Sequence, residues 1–270
     1  MGTVSPNRPL AAVTGASSGI GLELAKQFAE HGFDLVVCAE DEGILGAATD
    51  IARLGVSVEA VKADLATYAG VETFCAELVS VGRPLDAIAI NAGVGVGGDF
   101  ARETALAEEL NVIALNVVST VHLSKRVLKD MVARGSGRIL FTSSIAATMP
   151  TPLEAVYGAS KAFVQSFADS IRHELKDTGV TVTCLVPGPT NTNFFHRAGL
   201  DDTKVGTEEK NKNRPEDVAR QGFEALMAGD ARVVGATSLM TKLQGTLGKL
   251  PDDIEAVQHR KMAEHGLAKR

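Results

Sequence analysis

The stretch that decides the fold reads Leu10-Ala-Ala-Val-Thr14-Gly15-Ala-Ser-Ser-Gly19-Ile-Gly21. Its apolar first half is typical of a strand buried on both faces, and the amphipathic run Leu22–His31 predicts a helix directly after it. Each glycine has its own purpose: Gly15 makes a tight turn, Gly19 lets the backbone approach a pyrophosphate, and Gly21 lets the helix pack closely. Strand, glycine loop and helix therefore come in the order that a nucleotide-binding fold requires.

The glycine loop has further features that favour phosphate. Free N–H groups at the start of a helix carry partial positive charge, and the hydroxyl groups of Ser17 and Ser18 can add donors. The spacing G-x3-G-x-G differs from the commoner G-x-G-x-x-G, and no Lys-Ser/Thr pair follows as in a P-loop. The alternative interpretation is a plain turn between a strand and a helix.

The rest of the chain repeats this alternation. The predicted strands are Leu10–Thr14, Phe33–Cys38, Val56–Val61, Leu85–Ile90, Arg138–Thr142, Val180–Val186 and Ala231–Val234. The further predicted helices are Gly43–Leu54, Tyr68–Val81, Glu103–Ala133, Glu154–Lys176 and Pro215–Met227. Apolar strands that alternate with helices predict an α/β fold, a doubly wound, Rossmann-like parallel sheet of about seven strands with helices on both faces.

No linker or break in composition divides the chain, so we expect a single dinucleotide-binding and catalytic domain over residues 1–270. Residues 193–214 form a polar insertion without clear periodicity, which is typical of a lid, a substrate-binding loop or a disordered segment. Phe194 and Phe195 open this insertion and either line an apolar substrate pocket or anchor the loop on the core. Residues 236–270 predict a weakly amphipathic helical tail.

Composition narrows the classes of partner. The 270 residues contain no Trp, two Tyr and ten Phe, and the net charge is −6. Because binding of single strands or phosphate backbones needs more aromatic rings or a basic surface, we expect no nucleic-acid partner. No run approaches the roughly 20 apolar residues of a membrane span, and no signal-peptide pattern opens the sequence. We therefore expect a cytoplasmic protein with no membrane partner.

The cysteines and histidines point to neither a disulfide framework nor a metal site. Cys38, Cys75 and Cys184 are odd in number and far apart, which indicates buried thiols in a reducing compartment. The six histidines lack the spacing of metal ligands, so we expect no metal.

Glu40 stands at the end of the second predicted strand, where a dinucleotide fold faces the adenosine ribose. A 2′-phosphate there would meet at least one carboxylate, and like charges in contact cost about 1–4 kcal/mol in a wet site. We therefore expect NAD as the preferred cofactor and NADP as the less favoured one. The alternative is that Glu40 and Asp41 only cap the following helix.

Tyr157 and Lys161 share one face of a predicted helix, because residues four apart lie one turn above each other. A free phenol has a pKa of about 10, too high for a base at neutral pH. A nearby ammonium and a positively charged nicotinamide would both lower the pKa of this phenol. The alternative is a surface tyrosine beside a solvated lysine.

Four further motifs accompany this pair. They are Ser144 at the end of the fifth strand, Asn91-Ala-Gly93 after the fourth, Asn116 in the long fourth helix, and Pro187-Gly188 with Thr192 after the sixth strand. Together with the glycine loop they resemble the short-chain dehydrogenase/reductase family, over about Leu10 to Val234.

The resemblance implies a role for each matching residue. Tyr157 would be the general acid/base that exchanges a proton with the substrate oxygen, and Lys161 would lower its pKa and bind the nicotinamide ribose. Ser144 would hold the substrate oxygen, and Asn116 would continue a water-linked proton relay.

The resemblance also implies a set of cofactor contacts. Besides Tyr157, Lys161 and Glu40, they are Gly15, Ser17, Ser18, Gly19, Ile20, Gly21, Asp64, Leu65, Asn91, Ala92, Gly93, Pro187, Gly188, Thr190 and Thr192. Two positions differ from patterns seen in the family. Ile90 stands where a second Asn is common, and Glu40 stands where NADP-preferring members often carry Arg.

The sequence therefore predicts an NAD(P)-dependent dehydrogenase or reductase that acts on a small secondary alcohol or ketone. A non-catalytic NAD-binding sensor or scaffold with the same fold is the alternative, and a methyltransferase that uses S-adenosylmethionine would not account for Tyr157 and Lys161 together. By resemblance we expect a homodimer or homotetramer with contacts through the helices predicted over Glu103–Ala133 and Glu154–Lys176.

Overall fold

Parallel strands form a single sheet in the computed structural model, which describes residues 8–207, 212–236 and 252–265. The strands of this described part are β1 (Leu10–Thr14), β2 (Asp34–Ala39), β3 (Val58–Lys62), β4 (Ala87–Ile90), β5 (Gly137–Thr142), β6 (Val180–Pro187) and β7 (Arg232–Gly235). Their order is β3-β2-β1-β4-β5-β6-β7. The chain reverses its direction of winding between β1 and β4, which is where ligands bind in folds of this kind.

Helices cover both faces of the sheet. Within the described residues they are α1 (Gly19–Glu30), α2 (Gly43–Ala52), α3 (Tyr68–Ser80), α4 (Leu106–Ile113), α5 (Ser119–Arg134), α6 (Ala155–Glu174), α7 (Phe194–Arg197), α8 (Lys204–Thr207), α9 (Pro215–Ala228) and α10 (Asp252–Ala263). The buried residues of α1, α2 and α9 pack on one face, and those of α3, α5 and α6 pack on the other. The predicted doubly wound α/β fold is confirmed.

Strand β1 shows why the sheet needs two layers of helices. Leu10 and Ala12 contribute to one apolar core, while Ala11 and Val13 contribute to the other, and all four are fully buried. Alternate residues of a strand point to opposite faces, so a strand that is apolar throughout must be covered on both sides.

The predicted strand boundaries lie within two residues of the observed ones. Helix α1 begins at Gly19, three residues before the predicted Leu22, because Ser18 is extended and its carbonyl accepts the N–H of Leu22. Gly32 ends that helix in the left-handed conformation, as the sequence predicts.

The long helical tract predicted over about Glu103–Ala133 is observed over Leu106–Arg134, with a π-helical segment inside it. Helix α4 begins only at Leu106, where the Glu108 carboxylate accepts the N–H of Ala105. A π-helical segment, Ala114–Val118, then separates α4 from α5. Such segments accommodate one extra residue in a helix and occur often at functional sites, and this one contains Asn116.

Two short helices, α7 and α8, form inside the predicted insertion, of which residues 208–211 lie outside the described part of the chain. In the predicted tail, α10 packs against α8, and His265 pairs there with Asp202. Residues 237–251 and 266–270 also lie outside the described part. Among the described helices, none is long and apolar enough to cross a bilayer.

Candidate active site

A cavity of about 470 Å³ lies at the carboxyl ends of the parallel strands. It extends from Glu40 after β2, past the glycine loop after β1, to Tyr157 on α6 and His259 on α10. Every site residue predicted from the sequence lines this cavity except Ser17 and Asn116. Cavities of this volume are typical of cofactor and small-molecule sites.

The glycine loop leaves the start of α1 open toward the cavity. Gly15 and Gly19 have left-handed backbones, with φ of +66° and +58°, which favours glycine at both positions. The Ser18 side chain makes no capping hydrogen bond, so it leaves the N–H groups of the first turn available to a ligand. These features fit the phosphates of a dinucleotide.

Gly21 packs more closely than its neighbours. A Cβ atom at this position would lie 2.1 Å from the carbonyl oxygen of Gly15 and 2.6 Å from Nδ2 of Asn91. The close approach is therefore between α1 and its own glycine loop, and no side chain can be accommodated there.

Hydrogen bonds around Asn91 join the ends of three strands. Its Nδ2 donates to the carbonyl of Thr14 at 3.1 Å, and its Oδ1 accepts from the Thr142 hydroxyl at 3.1 Å. The Thr14 hydroxyl oxygen accepts the N–H groups of Asn91 and Ala92, both at 3.0 Å. The carboxyl ends of β1, β4 and β5 are thereby held together beneath the cavity.

The two carboxylates that directly follow β2, Glu40 and Asp41, lie in different surroundings. Glu40 is exposed and lines the cavity. Asp41 accepts the Ser17 hydroxyl at 2.8 Å and the N–H of Gly43 at 2.9 Å, and Arg197 of α7 lies 3.6 Å from it. The Ser17 hydroxyl, predicted from the sequence to donate to a phosphate, therefore donates to Asp41 instead.

Tyr157 is buried in the wall of the cavity beside Ser144. Burial raises the pKa of this phenol, a side-chain hydrogen bond with Ser144 opposes the shift, and the charge of Glu154 adds to it. The sequence predicts that Lys161 and a positively charged nicotinamide lower this pKa. In the protein alone, the loss of hydration outweighs the hydrogen bond and the pKa of the phenol is raised.

The Lys161 ammonium lies between the end of β5 and the Tyr157 ring. Its Nζ donates to the carbonyl of Thr142 at 3.0 Å and lies 5.9 Å from the centre of the Tyr157 ring. A Cβ at Gly93 would come within 3.0 Å of Nζ, so this glycine leaves room for the ammonium. Burial lowers the pKa of Lys161 to about 8, which leaves the ammonium as the main form at neutral pH.

Asn116 is buried behind Lys161 rather than in the cavity wall. Its Nδ2 donates to the carbonyl of Val94 and to the Ser160 hydroxyl, both at 2.9 Å, and its Oδ1 accepts the N–H of Val94 at 3.0 Å. The side chain therefore fixes the segment after β4, and its main-chain carbonyl accepts the Thr120 hydroxyl at 2.8 Å.

Several cavity residues have no counterpart in the sequence prediction. They are Met149, Glu154, Arg197, Gln258, His259, Met262 and Ala263. The sequence predicts a helix that begins at Glu154, so its spacing of three from Tyr157 could have indicated Glu154. The C-terminal residues carry no comparable signal. Of the predicted pocket phenylalanines, Phe194 places its ring 5.0 Å from that of Tyr157.

Comparison with known proteins agrees with this geometry. A family model described as short chain dehydrogenase matches residues 9–202. The chain belongs to the short-chain dehydrogenase family. It is thus an NAD(P)-dependent oxidoreductase that interconverts CH–OH and C=O groups, as the sequence predicts.

Relatives of this short-chain dehydrogenase include proteins from animals and bacteria. It is 30% identical over 231 residues to dehydrogenase/reductase SDR family protein 7-like of Drosophila melanogaster, covering 82% of this chain and 71% of the relative. It is 31% identical over 210 residues to NADP-dependent 3-hydroxy acid dehydrogenase YdfG of Salmonella typhi, covering 76% and 84% respectively. Neither relative supports the alternative of a non-catalytic sensor.

A solved structure shows the same fold. The short-chain dehydrogenase from Sphingobium yanoikuyae in complex with NADPH superimposes with a TM-score of 0.78 at 29% identity, covering 86% of this chain and 89% of the other.

We expect Gly21→Ala to weaken dinucleotide binding at least about tenfold, or about 1.4 kcal/mol, because the new Cβ displaces the glycine loop. Gly46→Ala is the matched control, since that exposed glycine of α2 has nothing within 4 Å of a Cβ. Titration of each variant with NADH, followed by nicotinamide fluorescence, gives the dissociation constants. A folded Gly21→Ala protein that binds as tightly as Gly46→Ala would contradict the assignment.

Proposed function

We propose that this short-chain dehydrogenase interconverts a secondary alcohol and a ketone with Tyr157 as the general acid/base. The observation that carries the proposal is the convergence of Ser144, Tyr157 and Lys161 on one wall of the cavity. A bound nicotinamide supplies or accepts the hydride. The open start of α1 and the space at Gly93 fit such a cofactor, with the glycine loop at its phosphates and Lys161 at its nicotinamide ribose.

The protein's own groups hold the substrate and move the proton. The hydroxyl groups of Ser144 and Tyr157 bind the substrate oxygen, and Tyr157 gives or takes its proton. The Lys161 ammonium lowers the cost of a phenolate in this dry wall. Lys161 and Asn116 flank Gly93, which supports a path for the proton away from the site through Asn116.

The rest of the predicted cofactor contacts belong to the same proposal. Glu40 faces the adenosine ribose, Asp64 and Leu65 contact the adenine, and Asn91 to Gly93 support the nicotinamide half. Thr192 binds the carboxamide, with Pro187, Gly188 and Thr190 shaping the loop that carries it. Their common place in the cavity lining supports these roles.

We infer a preference for NAD over NADP from the carboxylate of Glu40 at the cavity. One relative is named for NADP and one solved structure contains NADPH. The ratio of kcat/KM for NAD to kcat/KM for NADP therefore tests the preference. Arg197, 3.6 Å from Asp41, is the cation that could offset the charge of a 2′-phosphate at this end.

We also propose a homodimer or homotetramer that forms through α4, α5 and α6. Large apolar side chains are exposed on these elements and on the π-helical segment between them. They are Leu106, Leu110, Ile113, Val118, Val121, Val132 and Phe163. Exposed large apolar side chains on neighbouring helices support an interface at this surface.

A reducing, cytoplasmic compartment is our inference from the cysteines. Cys38, Cys75 and Cys184 are all buried and free. Burial raises the pKa of the Cys38 and Cys184 thiols to about 12, which keeps them protonated and unreactive. We also propose that residues 1–270 form one domain, in which residues 193–214 are the substrate loop.

We expect Tyr157→Phe to fold and bind NAD but to lose about 10²–10⁴-fold in kcat, the usual contribution of a general acid–base group. Tyr68→Phe changes the other tyrosine of the chain, which is exposed at the start of α3, and should retain full activity. NADH absorbance with a panel of secondary alcohols and ketones measures both. A Tyr157→Phe protein that keeps more than about a tenth of wild-type kcat would exclude the proposed role.

We expect kcat/KM for NAD to exceed that for NADP by at least about fivefold, since like charges at the ribose cost about 1 kcal/mol or more. Glu40→Ser should reduce this ratio. Glu42→Gln is the control, because Glu42 pairs with Lys62 outside the cavity. Equal or better use of NADP by the wild-type protein would contradict the preference.

We expect Leu110→Glu to dissociate the oligomer, because a buried unpaired charge opposes association. Val79→Glu introduces a glutamate at an exposed valine of α3 and should leave the mass of the oligomer unchanged. Size-exclusion chromatography with light scattering measures both variants. A monomeric wild-type protein would rule out the proposed assembly.

A further inference from the structure

The side chains of Glu154 and His259 contact each other in the wall of the active-site cavity. The two residues come from distant parts of the chain: Glu154 directly precedes α6, and His259 lies on α10. Nε2 of His259 is 3.3 Å from Oε2 of Glu154, and the two side chains are only 13% and 8% exposed. Both side chains line the cavity together with Tyr157.

The imidazole ring of His259 is surrounded by acceptors. Its Nδ1 lies 3.2 Å from the carbonyl oxygen of Pro152, and its Nε2 faces the carboxylate of Glu154. The carbonyl of Pro152 can only accept a hydrogen bond, so the ring satisfies this contact when Nδ1 donates. The carboxylate of Glu154 would attract a proton on the other nitrogen, Nε2, at 3.3 Å.

Glu154 acts on the phenol that the proposed chemistry uses. It stands three residues before Tyr157, and its negative charge is one of the causes that raise the pKa of that phenol. Two negative charges in one poorly hydrated wall oppose each other. A carboxylate at this position is therefore unfavourable for a tyrosine base unless a cation neutralises it.

We propose that His259 is a positioning residue, which α10 brings to the cavity to hold and neutralise the Glu154 carboxylate beside Tyr157. The C-terminal helix thus completes the active site through an electrostatic contact. This inference rests on the proposed role of Tyr157 as the general acid/base.

Other charged groups around the phenol are few among the described residues. Lys161 faces Tyr157 from α6, and Ser144 and Phe194 approach it as uncharged groups. Arg197, Glu40 and Asp64 line the same cavity, as do residues of the glycine loop, which carry no charge. On α10 itself, Arg260 and Lys261 are exposed. Besides Lys161, Glu154 and His259 are therefore the charged or titratable residues that we expect to affect the pKa of Tyr157.

The first experiment measures kcat/KM for alcohol oxidation against pH. The rate on the acid side rises as Tyr157 loses its proton, so this limb reports the pKa of the phenol in the enzyme. His259→Gln leaves Glu154 without its cation and should move the limb upward by about one pH unit. His259→Lys restores a positive charge and should bring the limb back toward the wild-type position.

A double-mutant cycle separates charge from shape. In the Glu154→Gln background there is no carboxylate to neutralise, so His259→Gln should shift the limb by less than half as much as in the wild-type background. Glu154→Gln alone keeps His259 and should move the limb downward, which tests the proposal even where His259→Gln does not fold.

His265→Gln is the matched control. His265 lies just after α10 and pairs with Asp202 beside α8, and it does not line the cavity. If α10 only closes the pocket, His259→Gln and His265→Gln should both raise KM without moving the pH limb. That result, or an equal pH shift in both variants, would overturn the proposal.

A second readout is independent of turnover. The chain has no Trp and two Tyr, so in a Tyr68→Phe protein the ultraviolet absorbance of phenolate reports Tyr157 alone. With NAD bound, His259→Gln in this background should raise the titration midpoint, and an unchanged midpoint would contradict the inference. Retained activity in Tyr157→Phe would instead refute the proposed catalytic role and leave this titration as the test of the ion pair.

Discussion

The active site depends on the hydrogen bonds that Asn91 and Thr14 make across the carboxyl ends of the central strands. They hold the glycine loop, the segment after β4 and the end of β5 in one arrangement. The glycine loop, Asn91 to Gly93 and Thr142 to Ser144, which follow from these three strand ends, all line the cavity. Because both faces of the sheet are covered by helices, this edge is the part of the sheet where a ligand can reach the backbone.

Much of the fold and of the site could be predicted from the sequence, because the signals are local. The apolar strands and the glycine loop are contiguous patterns, and Tyr157 and Lys161 share one helix, so their relative placement follows from helix geometry. The chain's membership in the short-chain dehydrogenase family agrees with these patterns. Ser144 and Gly93 lie at strand ends, which a parallel sheet brings to one edge.

The rest could not be predicted because it depends on contacts between distant segments. The contact between Glu154 and His259 joins the residue before α6 to α10, more than 100 positions later. The side chain of Asn116, in the π-helical segment, donates to Val94 and Ser160, and no periodicity of the sequence indicates these bonds. The raised pKa of Tyr157 likewise follows from the depth of burial, which residue identity alone does not determine.

The central position of β1 has a consequence for how the chain folds. The half of the sheet formed by β3, β2 and β1 comes from residues close in sequence, whereas the N–H of Leu10 bonds to the Asp86 carboxylate, 76 positions later. Closing such a long loop costs chain entropy before any contact compensates for it. The first three strands can therefore assemble early, while the cavity forms only when β4 docks on the exposed edge of β1 and the later strands follow.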